Sequence, residues 1–373
     1  MYNEYDCYAG SACGMEGLVA GELRKYGANN VRTENGGVFF TSSAESLFRL
    51  NLMLHFCDRI FIILCSETCK SFEQLYQLVY QTDWRPFFSH DESIDISCKC
   101  TRSTLMSPRD CQSVAKKAVI EKIRHTTGQT VFPETGSSLP VHLTIRNDHL
   151  MIGLNTSGTA LSRRGYRTWN GEAPLRETLA AALVELSGWR PGQPLHDPCC
   201  GTGTILTEAA LIAAGKMPGI DRHFAMEEFA CFQSVNFRQI RNLEASSTDM
   251  NAVKLISGSD IDAGALDLAR RHISQAGIPS GKINLENIPL QNLNLNTENG
   301  FFICNPPYGE RLGDQRQCRK LYHDLFLLRQ RHPSWKLCAI SSDPAFERSF
   351  GKKADKKRRL YNGRLECVYY IYN

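Results

Sequence analysis

Residues 195–215 read LHDPCCGTGTILTEAALIAAG: the end of an apolar strand, a loop with two closely spaced glycines, and an apolar helix. No other stretch restricts the possible folds as tightly. A strand that hands over to a helix through a tight loop commits the chain to a crossover, and therefore to a parallel neighbouring strand. The alternation continues downstream. LISGSDIDAGALDLARRHISQAG reads as strand, acidic turn and helix, while FFICNPPYG and KLCAISSD are two more short apolar strands. Upstream, APLRETLAAALVELSGW is a helix with Pro174 near its start and Gly188 at its end. The pattern predicts an α/β domain built on a mostly parallel, doubly wound sheet. Its tail differs: in RRLYNGRLECVYYIY, Asn362-Gly363 stands between two β-rich runs and predicts a closing antiparallel hairpin.

The glycine loop also narrows the ligand. Gly201 and Gly203 allow a tight turn and close approach to backbone amides, and the helix that follows starts with unpaired N–H groups. The third glycine of a dinucleotide loop is missing, and no Gly-Lys-Ser/Thr follows to make a phosphate loop. Asp197, directly before the loop, would repel a pyrophosphate but suits a cationic ligand. Asp260 or Asp262, at the end of the next strand, is placed to accept hydrogen bonds from ribose hydroxyls. A cation beside one acid and a ribose beside the other describe S-adenosylmethionine. Asp197 and Asp260 lie 63 positions apart, against about 20 in an ordinary mononucleotide unit. Residues 216–255 are therefore an insertion, and their aromatic content predicts a packed lid or platform.

Asn305-Pro306-Pro307-Tyr308 follows the strand FFIC. Residues just past the carboxyl end of such a strand face the ligand crevice. Pro306 and Pro307 stiffen the turn and have no N–H, so carbonyl oxygens are the polar groups on offer. An amide oxygen from Asn305 and a backbone carbonyl can hold both protons of an exocyclic amine. The nitrogen lone pair then points at a methyl donor, and positioning supplies most of the catalysis. Tyr308 offers a ring on which an extruded base can stack. Asn305, Pro306 and Tyr308 are thus the candidate catalytic residues.

The first 160 residues are a different kind of sequence. Residues 1–65 read as a small α+β unit with helices at Gly17–Tyr26 and Ala44–Leu54 and a strand entered through Gly36-Gly37. Residues 66–160 repeat the mixture, with helices at Phe72–Tyr80 and Arg109–His125, strands near Ser93–Thr101 and Val141–Ile145, and a hairpin turn at Asn147-Asp148.

These residues closely resemble class I S-adenosylmethionine methyltransferases of the amino-group type. Over nearly the whole chain they resemble the bacterial THUMP-domain family of 23S rRNA guanine-N2 methyltransferases, some of which carry the older label of N6-adenine-specific DNA methylases. SACGMEGLVAGEL, GYRTWNGEAPLRETLAAAL, DPCCGTGTILTEAA, NPPYGERLG and KKADKKRRLYNGRLEC carry the likeness. It implies a ferredoxin-like domain at 1–65, a THUMP RNA-binding domain at 66–160 and a Rossmann-like methyltransferase domain at 161–373. It places cofactor contacts on Leu175, Asp197, Pro198, Cys200, Gly201, Thr202, Gly203, Thr204, Asp260, Ile261 and Asn305. Where the family has an acidic or amide residue for the adenine amine, this chain has Pro289, so the Leu290 N–H is the expected substitute.

The formal net charge of +4 permits a polyanionic partner without demanding one. Two clusters are more pointed: Arg163, Arg164 and Arg167 at the junction of the halves, and Lys356, Lys357, Arg358 and Arg359 near the end. Both are candidate phosphate contacts, and an RNA partner is expected because single-stranded bases can be splayed into a pocket; the resemblance implies 23S rRNA or a ribosome assembly intermediate. Adenine-N6 methylation of DNA or RNA, and methylation of a protein glutamine amide, would use the same chemistry at Asn305. The start MYNEYDCYAG lacks the pattern of a signal peptide, and the longest apolar run, about Ile60–Cys65, is far below the roughly 20 residues of a membrane span. A cytoplasmic protein without a metal is expected. The 15 cysteines are scattered and show no zinc spacing, so they read as reduced small hydrophobes.

Overall fold

The structure, a computed structural model, describes residues 4–88, 91–128, 131–132, 134–167, 175–308 and 315–373. Pro174 and the GERLG continuation of the Asn305 motif lie outside the described residues.

The chain opens with β1 (Tyr5–Gly10), α1 (Glu16–Lys25), β2 (Asn29–Glu34), β3 (Gly37–Ser42), α2 (Ala44–Met53) and β4 (Arg59–Thr68). Their strands pair antiparallel in the order β2-β3-β1-β4, the ferredoxin-like arrangement. Then follow α3 (Phe72–Gln81), β5 (Ser93–Thr101), α4 (Pro108–Thr127), β6 (Ser138–Arg146) and β7 (His149–Asn155). Asn147 and Asp148 both take positive φ at the β6–β7 turn, 52° and 60°, as a two-residue hairpin loop requires. β4 is shared. Its first residues pair with β1, and the strand then runs on through residue 65 against β7, with a register slip between Ile63 and Cys65. One seven-stranded sheet, β2-β3-β1-β4-β7-β6-β5, therefore spans the whole N-terminal half.

The second half contains α5 (Glu177–Ser187), β8 (Leu195–Asp197), α6 (Thr204–Ala213), α7 (Phe237–Ala245), β9 (Ile256–Asp260), α8 (Ala263–Gln275), β10 (Ile283–Asn287), β11 (Gly300–Cys304), α9 (Gln315–Arg331), β12 (Trp335–Ser341), α10 (Phe346–Phe350), β13 (Lys356–Asn362) and β14 (Leu365–Tyr372). Its sheet has the order β10-β9-β8-β11-β12-β14-β13, parallel from β10 to β12 and antiparallel beyond. The doubly wound reading holds, and the strand order reverses between β8 and β11. Strand side chains alternate between two buried faces: Phe301 and Ile303 join the core that continues into the N-terminal half, while Phe302 and Cys304 join a second one with Trp335, Tyr322 and Phe346. The terminal hairpin forms, but Asn362 pairs with Leu365, so its loop is Gly363-Arg364 and not Asn362-Gly363. Gly363, with φ 66°, takes the first loop position, where a tight hairpin favours glycine.

The halves are joined at several points. The insertion at 216–255 is packed as expected, yet it is a strut and not a lid over the cleft. Phe224 and Phe237 lie against Phe48, Phe232 against Tyr5, and Phe229 against Phe87, with ring centroids 4.7–6.4 Å apart. These rings bury their faces on the N-terminal half because its core lacks a cover there. Another is Gly14, φ 91°, where an added Cβ would sit 2.3 Å from the Arg359 carbonyl oxygen. Only glycine lets β13 come so close.

Candidate active site

Asp197 ends β8 and is 2% exposed. Its Oδ1 accepts the Cys199 N–H at 3.0 Å. Burial pushes its carboxyl well above the ordinary range, and nearby Asp260 acts in the same direction. A buried acid in that condition favours a cationic neighbour. The loop beyond it is stitched to β9: the Cys200 N–H donates to the Ser259 carbonyl at 3.1 Å, and the Gly201 N–H donates to Asp260 Oδ2 at 2.8 Å. The other oxygen of Asp260 accepts the Asp262 N–H at 3.0 Å, and Asp262 caps α8 by accepting from Gly264 and Ala265. His196, beneath the loop, bridges Ser257 and Ser259 through its two ring nitrogens at 2.8 and 3.0 Å. Burial lowers its pKa to about 3 and keeps the ring neutral.

Above this base lies a cleft of about 600 Å³, within the roughly 300–1,000 Å³ usual for small-molecule sites. Of the residues singled out in the sequence, Leu175, Asp197, Cys200, Gly201, Thr202, Thr204 and Asn305 line it. Asp262, the other acid considered for the ribose, lines it as well, and Cys199, Ile205, Gly264, Ala265 and Leu268 join them unforeseen. The three from α8 had one available signal: an Asp at a helix start turns the first helical residues toward the loop beside it. Pro198, Gly203, Asp260, Ile261 and Leu290 stand off the wall. Gly203 serves packing, since a Cβ there would lie 3.0 Å from that of Ala269. Ile261 stands 76% exposed beside the acidic pair. Leu290 is buried with its carbonyl held by Arg331, and its N–H donates to no described residue.

Asn305 leaves β11 on the far wall, one strand from Asp197. The Tyr322 hydroxyl, on α9, donates to the Pro307 carbonyl at 2.9 Å, which leaves the Pro306 carbonyl without a hydrogen bond among the described residues. The Tyr308 hydroxyl donates to Asn305 Oδ1, and the half-buried Tyr308 ring packs against the core. It is not an open stacking surface in this arrangement. Tyr322 was missed because it sits 14 residues past Tyr308, inside a helix that reads as ordinary core.

The basic junction needs correction. Arg163 is exposed, but Arg164 is buried: its guanidinium donates to the carbonyls of Leu161 and His55 and pairs with Glu208 Oε2 at 3.5 Å. Arg167 donates to the Leu175 carbonyl at 2.8 Å and pairs with Glu177 at 3.4 Å. Neither can meet an RNA phosphate as placed. Arg164 ties the halves together, and Arg167 props the wall of the cleft. A run of arginines reads as surface in a sequence because the acids that bury them, Glu208 and Glu177, lie on later helices. Lys356, Lys357, Arg358 and Arg359 are all exposed on β13.

A β10-β9-β8-β11-β12-β14-β13 sheet with an acid-flanked glycine loop and an Asn-Pro-Pro-Tyr turn at its switch point defines a class I methyltransferase, and the donor set fits S-adenosylmethionine. Family models match three parts of the chain: an RlmL ferredoxin-like domain over residues 6–61, a THUMP domain over 69–155, and an RMKL-like methyltransferase domain over 164–371. YpsC of Bacillus subtilis (strain 168) is 34% identical over 99% of this chain and 96% of its own. Ribosomal RNA large subunit methyltransferase K/L of Shewanella frigidimarina is 32% identical over 99% of this chain. The chain spans about half, 52%, of that enzyme. The crystal structure of SMU.472 complexed with SAH superposes with a TM-score of 0.93 at 34% identity, covering 100% of this chain and 98% of that one. The chain belongs to the RMKL-like methyltransferase family. It is an S-adenosylmethionine-dependent methyltransferase. No described helix is long and apolar enough to cross a membrane.

Proposed function

We propose that the chain methylates an exocyclic base amine of RNA, with guanine N2 of 23S rRNA as the target. The observation that carries this reading is Asn305 on the wall of the same cleft as Asp197 and the Gly201 loop, one strand away. Asp197 and the loop amides would hold the methionine end of the cofactor, with Asp260 or Asp262 at the ribose and Ile261 at the adenine. When bound, the cofactor supplies an electrophilic methyl on a sulfonium. Everything else falls to the chain. Asn305 Oδ1 and the Pro306 carbonyl accept the two N–H groups of the target amine, which turns its lone pair toward the methyl. The walls exclude water, and Tyr322 holds the Pro-Pro turn still. Pre-set geometry of this kind replaces a strong base. The choice of guanine rests on the resemblance of the sequence to the THUMP-domain guanine-N2 methyltransferases, and adenine N6 uses the same grip.

The test is nucleoside mass spectrometry of rRNA from cells with and without the gene, together with purified chain acting on 23S rRNA and on assembly intermediates. N2-methylguanosine that depends on the gene and on Asn305 supports the reading. N6-methyladenosine in its place, or methylation confined to tRNA or DNA, overturns the assignment of base or substrate.

A further inference from the structure

Three thiols that the sequence scatters are brought together far from the cleft wall. Cys98 and Cys100 stand two apart on β5 and so share one face of the strand, and Cys111 rises from the first turns of α4, which packs on β5. The Sγ atoms of Cys98 and Cys100 lie 3.7 Å apart and those of Cys100 and Cys111 4.0 Å apart. All three fall within 4.8 Å of one another, and neither a His nor a carboxylate completes the group among the described residues. Two touching thiols are ordinary core packing. Here a third closes the triangle. A metal–sulfur bond of about 2.3 Å sets ligand sulfurs about 3.8 Å apart in a tetrahedron and about 4.0 Å apart in a trigonal plane. The Cys98–Cys100 and Cys100–Cys111 separations already match that spacing. Cys111 is buried while Cys98 and Cys100 are half-buried, which gives the group a dry floor and a route from solvent.

We propose that Cys98, Cys100 and Cys111 form a three-thiolate site for one soft cation, cuprous copper or zinc. Three sulfurs with no oxygen donor reject magnesium and calcium and select exactly this class of thiophilic ion. Each thiol passes its proton to buffer as its metal–sulfur bond forms. The site would clip β5, the edge strand of the N-terminal sheet, to the helix behind it, and so fix the outer rim of the THUMP unit.

The full chain, reduced with tris(2-carboxyethyl)phosphine and stripped of metal, is titrated anaerobically. One arm uses tetrakis(acetonitrile)copper(I) against bathocuproine disulfonate, and the other uses zinc chloride against a chromogenic chelator. One equivalent is expected to be retained by the native chain and by Cys13→Ser, an exposed control, with a rise in melting temperature. Cys98→Ser, Cys100→Ser and Cys111→Ser should each weaken binding about tenfold or more and lose the metal-dependent rise. Retention of copper alone assigns a trigonal site, and retention of zinc assigns a tetrahedral one completed by water. Both support the site. If the buried Cys111→Ser variant fails to fold, the two half-buried positions decide. No retention in either arm, or equal retention by Cys98→Ser, overturns it.

Discussion

The Tyr308 hydroxyl donates its hydrogen bond to Asn305 Oδ1, the same atom that a target amine must use. Base and tyrosine therefore compete for one acceptor, and the ring has to leave its packed position before a base can stack on it. Asn305→Ala should lower kcat by about 100-fold or more, the scale on which lost positioning acts, and leave cofactor affinity nearly unchanged by calorimetry. Tyr308→Phe releases Oδ1 and keeps the ring, so it should retain transfer and lower the KM for RNA. A Tyr308→Phe enzyme as impaired as Asn305→Ala would show that the hydroxyl serves the chemistry and not the resting state.

Asp197 gives a pH signature. Its carboxyl is raised by burial in the free protein, and a cationic ligand favours its ionised form, so binding draws a proton off it. Between the bound and free titrations, affinity for S-adenosylmethionine should rise with pH, and it should level off once Asp197 is ionised in both states. Calorimetry in buffers of different ionisation enthalpy should detect the released proton. Asp197→Asn should abolish the release along with most of the affinity. A pH-independent affinity with no proton released would remove Asp197 from the cationic end of the site.

Asp260 is placed to act through the backbone. Its two oxygens accept the Gly201 and Asp262 amides, so Asp260→Ala leaves the part-buried Gly201 amide without its acceptor, at up to about 1–3 kcal/mol, while the exposed Asp262 amide can turn to water. We expect a lower melting temperature together with weaker cofactor binding. Asp262→Ala removes only a helix cap, about 1 kcal/mol, and a cleft-facing carboxylate. It should weaken binding with a smaller loss of stability. Equal melting temperatures for Asp260→Ala and the native chain would contradict the stitching role.

His196 and His142 link stability to acid. Burial lowers both, to about 3 and about 4, so the unfolded chain binds protons there that the folded chain refuses. Their contribution is fully present above the unfolded histidine value of about 6.5 and is lost as pH falls toward the folded values. Urea midpoints should decline through that window. His196→Gln, which can still bond to Ser257 and Ser259, should flatten the decline.

Much of this was legible in the sequence, for a physical reason. Glycine loops, Pro-Pro turns and strand-end acids act locally, and the doubly wound fold carries those strand ends to one crevice. The alternation from about residue 173 therefore yielded both the sheet and its cleft. Contacts made across the chain were not legible. Whether Phe224 and Phe229 belong to a lid or a platform was not legible because their partners, Phe48 and Phe87, lie more than 140 positions earlier. Arg164 read as a phosphate contact because nothing near it announces Glu208 on α6. The shared strand β4 read as a boundary because a long apolar run does not show that two different neighbours pair along it.

The basic strand β13 offers the clearest test of RNA contact, because its side chains alternate between two faces. Lys357 pairs with Glu347 at 3.0 Å and Arg359 with Glu366 at 3.2 Å, whereas Lys356 and Arg358 have no such partner among the described residues. Lysine and arginine on an edge strand also guard against edge-to-edge pairing, and that role alone would leave RNA binding untouched. Changing Lys356 and Arg358 to Glu should weaken RNA binding and reduce the slope of log affinity against log salt by about 1.4–1.8, the value for two released phosphate contacts. The same change at Lys357 and Arg359 should do less, because those charges are already partly satisfied. Filter binding over a potassium chloride series, with light scattering to detect association of the variants, separates the two roles. Parallel binding curves with increased self-association would assign the strand to edge protection alone.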